Sequence, residues 1–392
     1  MDLREHLKGK GVDVSEVFYL ENLKGAKHFF KEPNNFYNLR RDFKAESLDF
    51  VYSCDINKTK FFKILLKEWF YAIKVNGKII IRIKDNEILS FEKLVKTINL
   101  LIGEKGRIVL ENVKEGIIIY QKLGPALEKD DSIDRWSFGI ITNGSKEDAL
   151  ERQIESIIDL KIPFFEIIIC GPYKPKKKYK KHVKVIPFNY RLAWITRKKN
   201  LICKKAKYEN MSITHNRFNY DNNWYAGMKK YGNYFEVLTC RILSPSGRRA
   251  GDWITNGSDI SNRWINEMGL LQYHDWDENL TINGSFHIFK KSAWKKVPWD
   301  EAFTYGQNED DKLSYDFHKN GIVPRFNPYS TMHTFPEKYG NWNFTYTFNS
   351  QRLGKIPFKF SVKYFQRRIE RFSRKHFKIG FVKKPDYETY TW

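Results

Sequence analysis

The chain has 392 residues, of which 41% are hydrophobic and 16% aromatic, and a formal net charge of +23. That apolar content excludes a disordered chain, and the length leaves room for two domains, each with a core. The charge points to an anionic partner: a nucleotide diphosphate, an anionic membrane surface or nucleic acid. Cys54, Cys170, Cys203 and Cys240 are scattered and form no Cys-x-x-Cys pair, which suits a reducing compartment. The N-terminus is polar and lacks a signal-peptide core, and no run nears the ~18 apolar residues of a membrane span. The expectation is a cytoplasmic protein, at most peripheral to a membrane.

Residues 1 to about 35 carry little pattern. Leu48–Ser53 then reads as a buried strand, Phe61–Ile73 as a helix and Val75-Asn76-Gly77 as a turn. Lys78–Ile83 follows as a strand, about Ser90–Ile102 as a helix, and Gly106–Leu110 and Gly116–Gln121 as strands. This alternation predicts a parallel α/β layer. The order of Leu48–Ser53, helix and Lys78–Ile83 resembles the second half of class I S-adenosylmethionine-dependent methyltransferases. In that family a glycine loop after the first strand holds the cofactor. Here the one glycine-rich stretch upstream, Lys8–Asp13, has no apolar strand before it. Residues 1–122 are therefore expected to be a truncated methyltransferase-like α/β scaffold that makes no use of S-adenosylmethionine.

Residues 123–135 are polar and read as a linker. A second α/β unit begins at Trp136: strand Ser137–Thr142, turn Asn143-Gly144, amphipathic helix Lys146–Leu160, strand Phe164–Gly171, a basic loop Lys174–Lys181 and strand Val183–Phe188. Farther on, Asn283-Gly284-Ser285 opens a short strand through Phe289. Val297-Pro298-Trp299-Asp300-Glu301 follows, and Tyr305–Ser314 places Glu309, Asp310 and Asp311 at a helix start. Acidic residues suit that position for its own sake, because unpaired N–H groups and the helix dipole stabilise them.

Together these segments resemble GT-A glycosyltransferases, particularly the glycosyltransferase family 2 type, over about Trp136 to His333. The resemblance implies an α/β fold with a GT-A, Rossmann-like nucleotide-sugar domain at 136–350 behind the smaller methyltransferase-like domain. It implies Asp310 as catalytic base with Glu309 beside it. It implies a donor linked to UDP, GDP or dTDP, held by Thr142, Asn143, Arg197, Lys199, Asn200, His215, Asn216 and Arg217. On the acceptor side, Asp252 beside Trp253 in a loop suits sugar binding, because a carboxylate accepts from hydroxyls while a ring stacks on C–H faces; Gly284, Trp299 and Asp311 are expected with them, facing a glycan or lipid-linked saccharide.

One departure stands out. Where the family has a metal-binding Asp-x-Asp, this chain has His215-Asn216-Arg217. Hard cations prefer oxygen ligands, and a guanidinium there would face the cation. Two positive unit charges about 4 Å apart repel by roughly 4 kcal/mol at an effective dielectric near 20. Two readings stay open: transfer without a metal, or Mn2+ or Mg2+ held with help from His215 and His333.

Residues 351–392 contain a basic amphipathic helix at 361–376, suited to packing on the core or to lying on an anionic membrane. Rival functions are a methyltransferase, alone or fused to the transferase, and a non-catalytic carbohydrate-binding protein. Nucleic-acid binding ranks last, because no known module is legible.

Overall fold

The computed structural model describes residues 3–37, 39, 42–83, 89–127, 131–188, 193–255 and 269–335. The predicted helix at 361–376 lies outside the described residues. The chain divides into two compact units. Unit 1 comprises Met1–Lys129, Tyr273–Asp277 and Asn320–Val323; unit 2 comprises Asp130–Gln272, Glu278–Lys319 and Pro324–Trp392. Among the described residues no helix is long and apolar enough to cross a membrane. All four cysteines are buried and free.

Unit 1 is built on a six-stranded sheet. Its strands are β1 (Gly11–Asp13), β2 (Ala26–His28), β3 (Leu48–Ser53), β4 (Ile73–Arg82), β5 (Gly106–Asn112) and β6 (Ile117–Lys122), ordered β2-β1-β3-β4-β6-β5. The helices are α1 (Phe62–Ala72) and α2 (Phe91–Ile102). The apolar runs in β3, β4 and β6 are buried, as central strands covered on both faces require. Ser90 caps α2 by accepting from the Lys93 N–H at 3.2 Å.

Three expectations need correction here. The layer is parallel only through β4; β6 runs antiparallel to β4 and β5. Four residues join β5 to β6, whereas a parallel partner needs a crossover of about a dozen or more. The predicted turn at Val75-Asn76-Gly77 lies inside β4, where Asn76 has φ 69° and the register with β3 shifts. Its turn chemistry makes an irregularity in a strand rather than a break. The opening residues do contribute, as two three-residue strands too short to show a period.

Unit 2 carries an eight-stranded sheet. In chain order it has β7 (Arg135–Ile141), α3 (Glu147–Asp159), β8 (Phe164–Cys170), β9 (Val183–Ile186), α4 (Ile195–Lys205), β10 (Asn210–His215), β11 (Phe218–Tyr220), α5 (Trp224–Tyr231) and β12 (Val237–Leu243). A small antiparallel sheet of β13 (Ile254–Thr255), β14 (Gly269–Leu270) and β15 (Leu280–Thr281) comes next. The unit closes with β16 (Phe286–Lys290), α6 (Lys291–Lys296), α7 (Glu309–Lys319) and β17 (Pro324–Thr334). The large sheet is ordered β9-β8-β7-β10-β16-β12-β17-β11. Strands β9, β8, β7 and β10 are parallel, and β16 is antiparallel to both neighbours.

Aromatic packing dominates the core of this unit. Trp136 and Trp224 meet edge to face at 4.9 Å, and Tyr220 packs on Phe138 at 5.2 Å and on Trp224 at 5.1 Å. The expected linker is tied down at both ends. Leu123 and Gly124 donate to the Lys105 carbonyl in unit 1, and Asp131 accepts from the buried Lys290 ammonium at 2.6 Å in unit 2.

Candidate functional site

The connections of unit 2 determine where a ligand crevice opens. From β7 the chain crosses through α3 to β8 on one side; from β9 it crosses through α4 to β10 on the other side of β7. Strand order therefore reverses between β7 and β10. In open α/β sheets the crevice for ligands lies outside the carboxyl ends of the strands at such a switch. Those ends are Ile141-Thr142-Asn143 and His215-Asn216-Arg217.

The two ends are stitched together. Asn216 Nδ2 donates to Thr142 Oγ1 at 3.2 Å and to the Ser145 carbonyl at 2.9 Å. Asn143 Oδ1 accepts from the N–H and hydroxyl of Ser145, at 3.0 and 2.7 Å. Lys198, buried, donates to the Thr142 carbonyl at 2.7 Å. His215 is buried, and burial first, then the charges of Arg217 and Lys199, hold its imidazole well below its ordinary range. Arg217 is half-buried, and its guanidinium donates to Ser285 Oγ at 2.5 Å.

The loop Asn283-Gly284-Ser285 meets the other half of the site. It precedes β16, whose pairing with β10 brings Ser285 opposite His215: the His215 N–H donates to the Ser285 carbonyl at 3.1 Å. The acidic helix start packs against the same loop. Gly306 (φ 75°) and Asn308 (φ 58°) turn the chain into α7 through left-handed conformations that glycine and asparagine tolerate. Gln307 Oε1 braces that turn by accepting from the Thr304 N–H at 2.8 Å. Ser314 Oγ then donates to the Asp310 carbonyl and accepts from Ile282 N–H, fixing the helix to the loop's approach.

The result is a shared glycine. The Gly284 N–H donates to Asp310 Oδ2 at 3.0 Å, while its carbonyl accepts from Lys199 Nζ at 2.7 Å. A Cβ at this position would lie 2.8 Å from Asp310 Oδ2 and 3.0 Å from Glu309 Oε1. Asp310 is half-buried; Glu309 is buried, 3.4 Å from Lys199 Nζ. Burial, the largest influence, pushes the Glu309 carboxyl up to about 7, and burial likewise lowers the Lys199 ammonium.

Several sequence expectations come out differently. The basic start of α4 was expected to face a diphosphate. Instead Arg197 lies 3.8 Å from Glu301 and over Trp194, and Lys199 is fully buried under Gly284. Asn200 clasps the segment before α7, bonding Trp299 through both backbone groups and also Trp294 and Glu301. Trp299 was expected to stack on an acceptor, but it is buried edge-on against His287 and Phe289. Asp252 is buried in an ion pair with Arg249 and accepts from the Ile242 N–H, and Trp253 is buried against Phe326. These rings and this carboxylate hold the fold, because an apolar indole gains more from the core than from solvent. Asp311, half-buried, follows Asp310 on the helix and donates its N–H to Asp310 Oδ1 at 3.1 Å.

The donor set for a metal does not assemble. His333 lies on β17 with Nε2 3.0 Å from Asp221 Oδ2. Among the described residues no three His, Cys, Asp or Glu side chains converge on a point that could hold an ion. Sequence reasoning missed Ser285, the partner of Arg217, and His287, buried near Lys199, whose ring nitrogens meet no hydrogen-bond partner among the described residues. Only the three-dimensional pairing of β10 with β16 reveals either.

No protein-family model matches the chain, and no curated protein matches it. Among solved structures, the chain is similar to GalNAc-T7 with UDP, GalNAc and Mn2+, at 13% identity and a TM-score of 0.41 over 61% of this chain and 48% of that one. It thus spans about half the length of that protein. It is also similar to residues 1–349 of S. aureus TarS, at 14% identity and a TM-score of 0.37, covering 66% of this chain and 75% of that one.

Proposed function

We propose that unit 2 is a GT-A glycosyltransferase that moves a sugar from a nucleoside-diphosphate donor to a hydroxyl of a glycan or lipid-linked saccharide. One observation carries the reading. At the switch-point crevice, a single loop brings a half-buried carboxylate, Asp310, and a half-buried guanidinium, Arg217, to the same edge of the sheet. That pairing suits a reaction in which a hydroxyl loses a proton while a diphosphate departs.

Asp310 takes the acceptor proton. The acceptor oxygen forms its bond to the anomeric carbon as the bond from that carbon to the diphosphate oxygen breaks, with inversion. The N–H groups of Gly284 and Asp311 hold the two carboxylate oxygens of Asp310, so its orientation is set before substrate arrives. Glu309 stays behind it, paired with Lys199. The residues at the end of β10, an amide committed to Thr142 and Ser145 and a guanidinium, do not fit a divalent cation.

A screen of UDP-, GDP- and dTDP-sugars by nucleotide release, with saccharide acceptors, tests the reading. Asp310→Asn is expected to lose roughly 10²–10⁴-fold in turnover while still binding nucleotide. Turnover by that variant above about a tenth of wild type would remove Asp310 as base. A wild-type protein that binds saccharide and releases no nucleotide would favour the non-catalytic reading.

Unit 1 we read as scaffold rather than as a methyltransferase. Its strand order also reverses, between β1 and β3. Asp13, at the end of β1, is fully buried and accepts from the N–H groups of Ser15, Tyr19 and Leu20, while Ser15 Oγ accepts from the Cys54 N–H at the end of β3. The chain's own loop thus takes the polar groups a cofactor would use. The glycines have packing reasons: a Cβ on Gly11 would lie 2.3 Å from the Phe50 ring, and one on Gly25 2.5 Å from the Gly9 carbonyl oxygen. Calorimetric binding of S-adenosylmethionine to the whole chain would overturn this reading.

A further inference from the structure

The end of β10 departs from the resemblance at the position where carboxylates would hold a cation, and the departure is structural as well as chemical. Asn216 is turned inward, its amide committed to Thr142 and Ser145. His215 is buried beneath two cations, Arg217 and Lys199, whose charges both act on its ring. His333 faces Asp221. What remains at the rim is Arg217, half-buried and braced by Ser285. A planar guanidinium keeps its charge at every working pH and matches phosphate oxygens in a two-pronged geometry.

We propose that this crevice binds the donor diphosphate without a metal ion, with Arg217, oriented by Ser285, supplying the positive charge directly. The buried Lys199 ammonium reinforces the field from behind without touching the ligand, because its donations go to Gly284 and Glu309. The bound ligand is thus a nucleoside diphosphate or the diphosphate end of a nucleotide sugar. The leaving diphosphate meets a charge that is already in place, and nothing has to be recruited from solution. The inference rests on the donor reading above, and its test separates the two.

The experiment titrates the whole chain with UDP, GDP, dTDP and inorganic pyrophosphate by calorimetry, in EDTA and again with Mn2+ or Mg2+. A nucleoside diphosphate is expected to bind in EDTA within about threefold of its affinity with metal. Arg217→Ala is expected to weaken binding about 10- to 100-fold, the range for losing a charge-assisted pair. Arg217→Lys should fall between, since an ammonium keeps the charge and loses the fork. If Arg217→Ala does not fold, Arg217→Lys and Ser285→Ala carry the test, each with its unfolding midpoint recorded. Unchanged affinity in both folded variants would overturn the role of Arg217. Binding that disappears in EDTA and returns with Mn2+ would overturn the metal-free site and leave the donor reading standing. If no nucleoside diphosphate and no pyrophosphate binds with or without metal, both fall.

Discussion

Gly284→Ala is the sharpest perturbation of the site. The added methyl would sit 2.8 Å from Asp310 Oδ2, 3.0 Å from its Cγ and 3.0 Å from Glu309 Oε1. Real Cβ atoms essentially never come closer than 3.0 Å, so something must shift. The obstructing atoms are the far ends of side chains rather than backbone, so the carboxylates yield before the fold does. The stability cost is then about 1 kcal/mol, at the low end for overpacking. The geometric cost is larger. Displacing Asp310 Oδ2 lengthens the 3.0 Å bond from the Gly284 N–H and moves the base away from the acceptor. A misplacement of about 1 Å in a reacting group can cost on the order of 10²-fold in rate. Turnover measured by nucleotide release should therefore fall by about two orders of magnitude, while the unfolding midpoint moves by only a few degrees. Nucleotide affinity should stay within about threefold of wild type, because Arg217 is braced by Ser285 and not by the glycine. A variant with turnover within about threefold of wild type would refute the assignment of Asp310 as a held base.

Lys199→Met should destabilise the protein by about 1–3 kcal/mol, because the Gly284 carbonyl loses its buried donor and Glu309, whose carboxyl already titrates at about 7, is left protonated without a partner. Adding Glu309→Leu should recover much of that loss; denaturant midpoints of the two singles and the double decide it. Glu309 also predicts a pH slope. Its folded pKa, about 7, lies above the ordinary 4.5, so its contribution is greatest below 4.5 and falls as pH rises through 7. Glu309→Gln should flatten stability against pH across that window, and an unchanged slope would place the titration elsewhere. Deleting residues 1–129 should give insoluble protein. The downstream segments 273–277 and 320–323 belong to unit 1, and the deletion removes the rest of the unit that buries Trp276, Ile322 and Val323. A soluble, cooperatively unfolding fragment would show that unit 2 needs none of it.

Much of the architecture was legible because it rests on local pattern. The apolar run in β3 and the helical periodicity of α3 each carry their own signal over six or more residues, and three consecutive carboxylates mark the start of α7. What was illegible depends on distant partners. Strands β1 and β2 have three residues each and are specified by parallel pairing, β1 along β3 and β2 along β1, rather than by a period. The antiparallel placement of β16 between β10 and β12 leaves no trace in its apolar composition, because a strand buried on both faces reads the same either way. Site residues divide in the same manner. Glu309 and Asp310 were readable as a pair at a helix start. Lys199 and Asn200 were expected to hold the donor, yet each reaches about a hundred residues along the chain for its partners. Asp252, Trp253 and Trp299 were taken for ligand-facing groups on residue type alone, and type cannot distinguish a stacking ring from a core ring.

The donor and base sides of the site are not independent. Ser285 carries Arg217 through its hydroxyl and the end of β10 through its carbonyl. Gly284 carries Lys199 through its carbonyl and Asp310 through its N–H. Asn283 fastens the loop itself, donating to the Gly251 carbonyl and accepting from the Ser285 N–H. Three consecutive residues therefore set the positions of both the cation that would meet the diphosphate and the carboxylate that would take the acceptor proton. Neighbours that share partners in this way depart from additivity by roughly 0.5–3 kcal/mol. Asn283→Ala touches neither Arg217 nor Asp310 directly, yet it frees the loop that holds both. It should weaken nucleoside-diphosphate binding and lower turnover together, and its effect combined with Arg217→Ala should be smaller than the sum of the two. Strict additivity in that double variant would mean that the two sides are held separately, and that the loop is only a connection between strands.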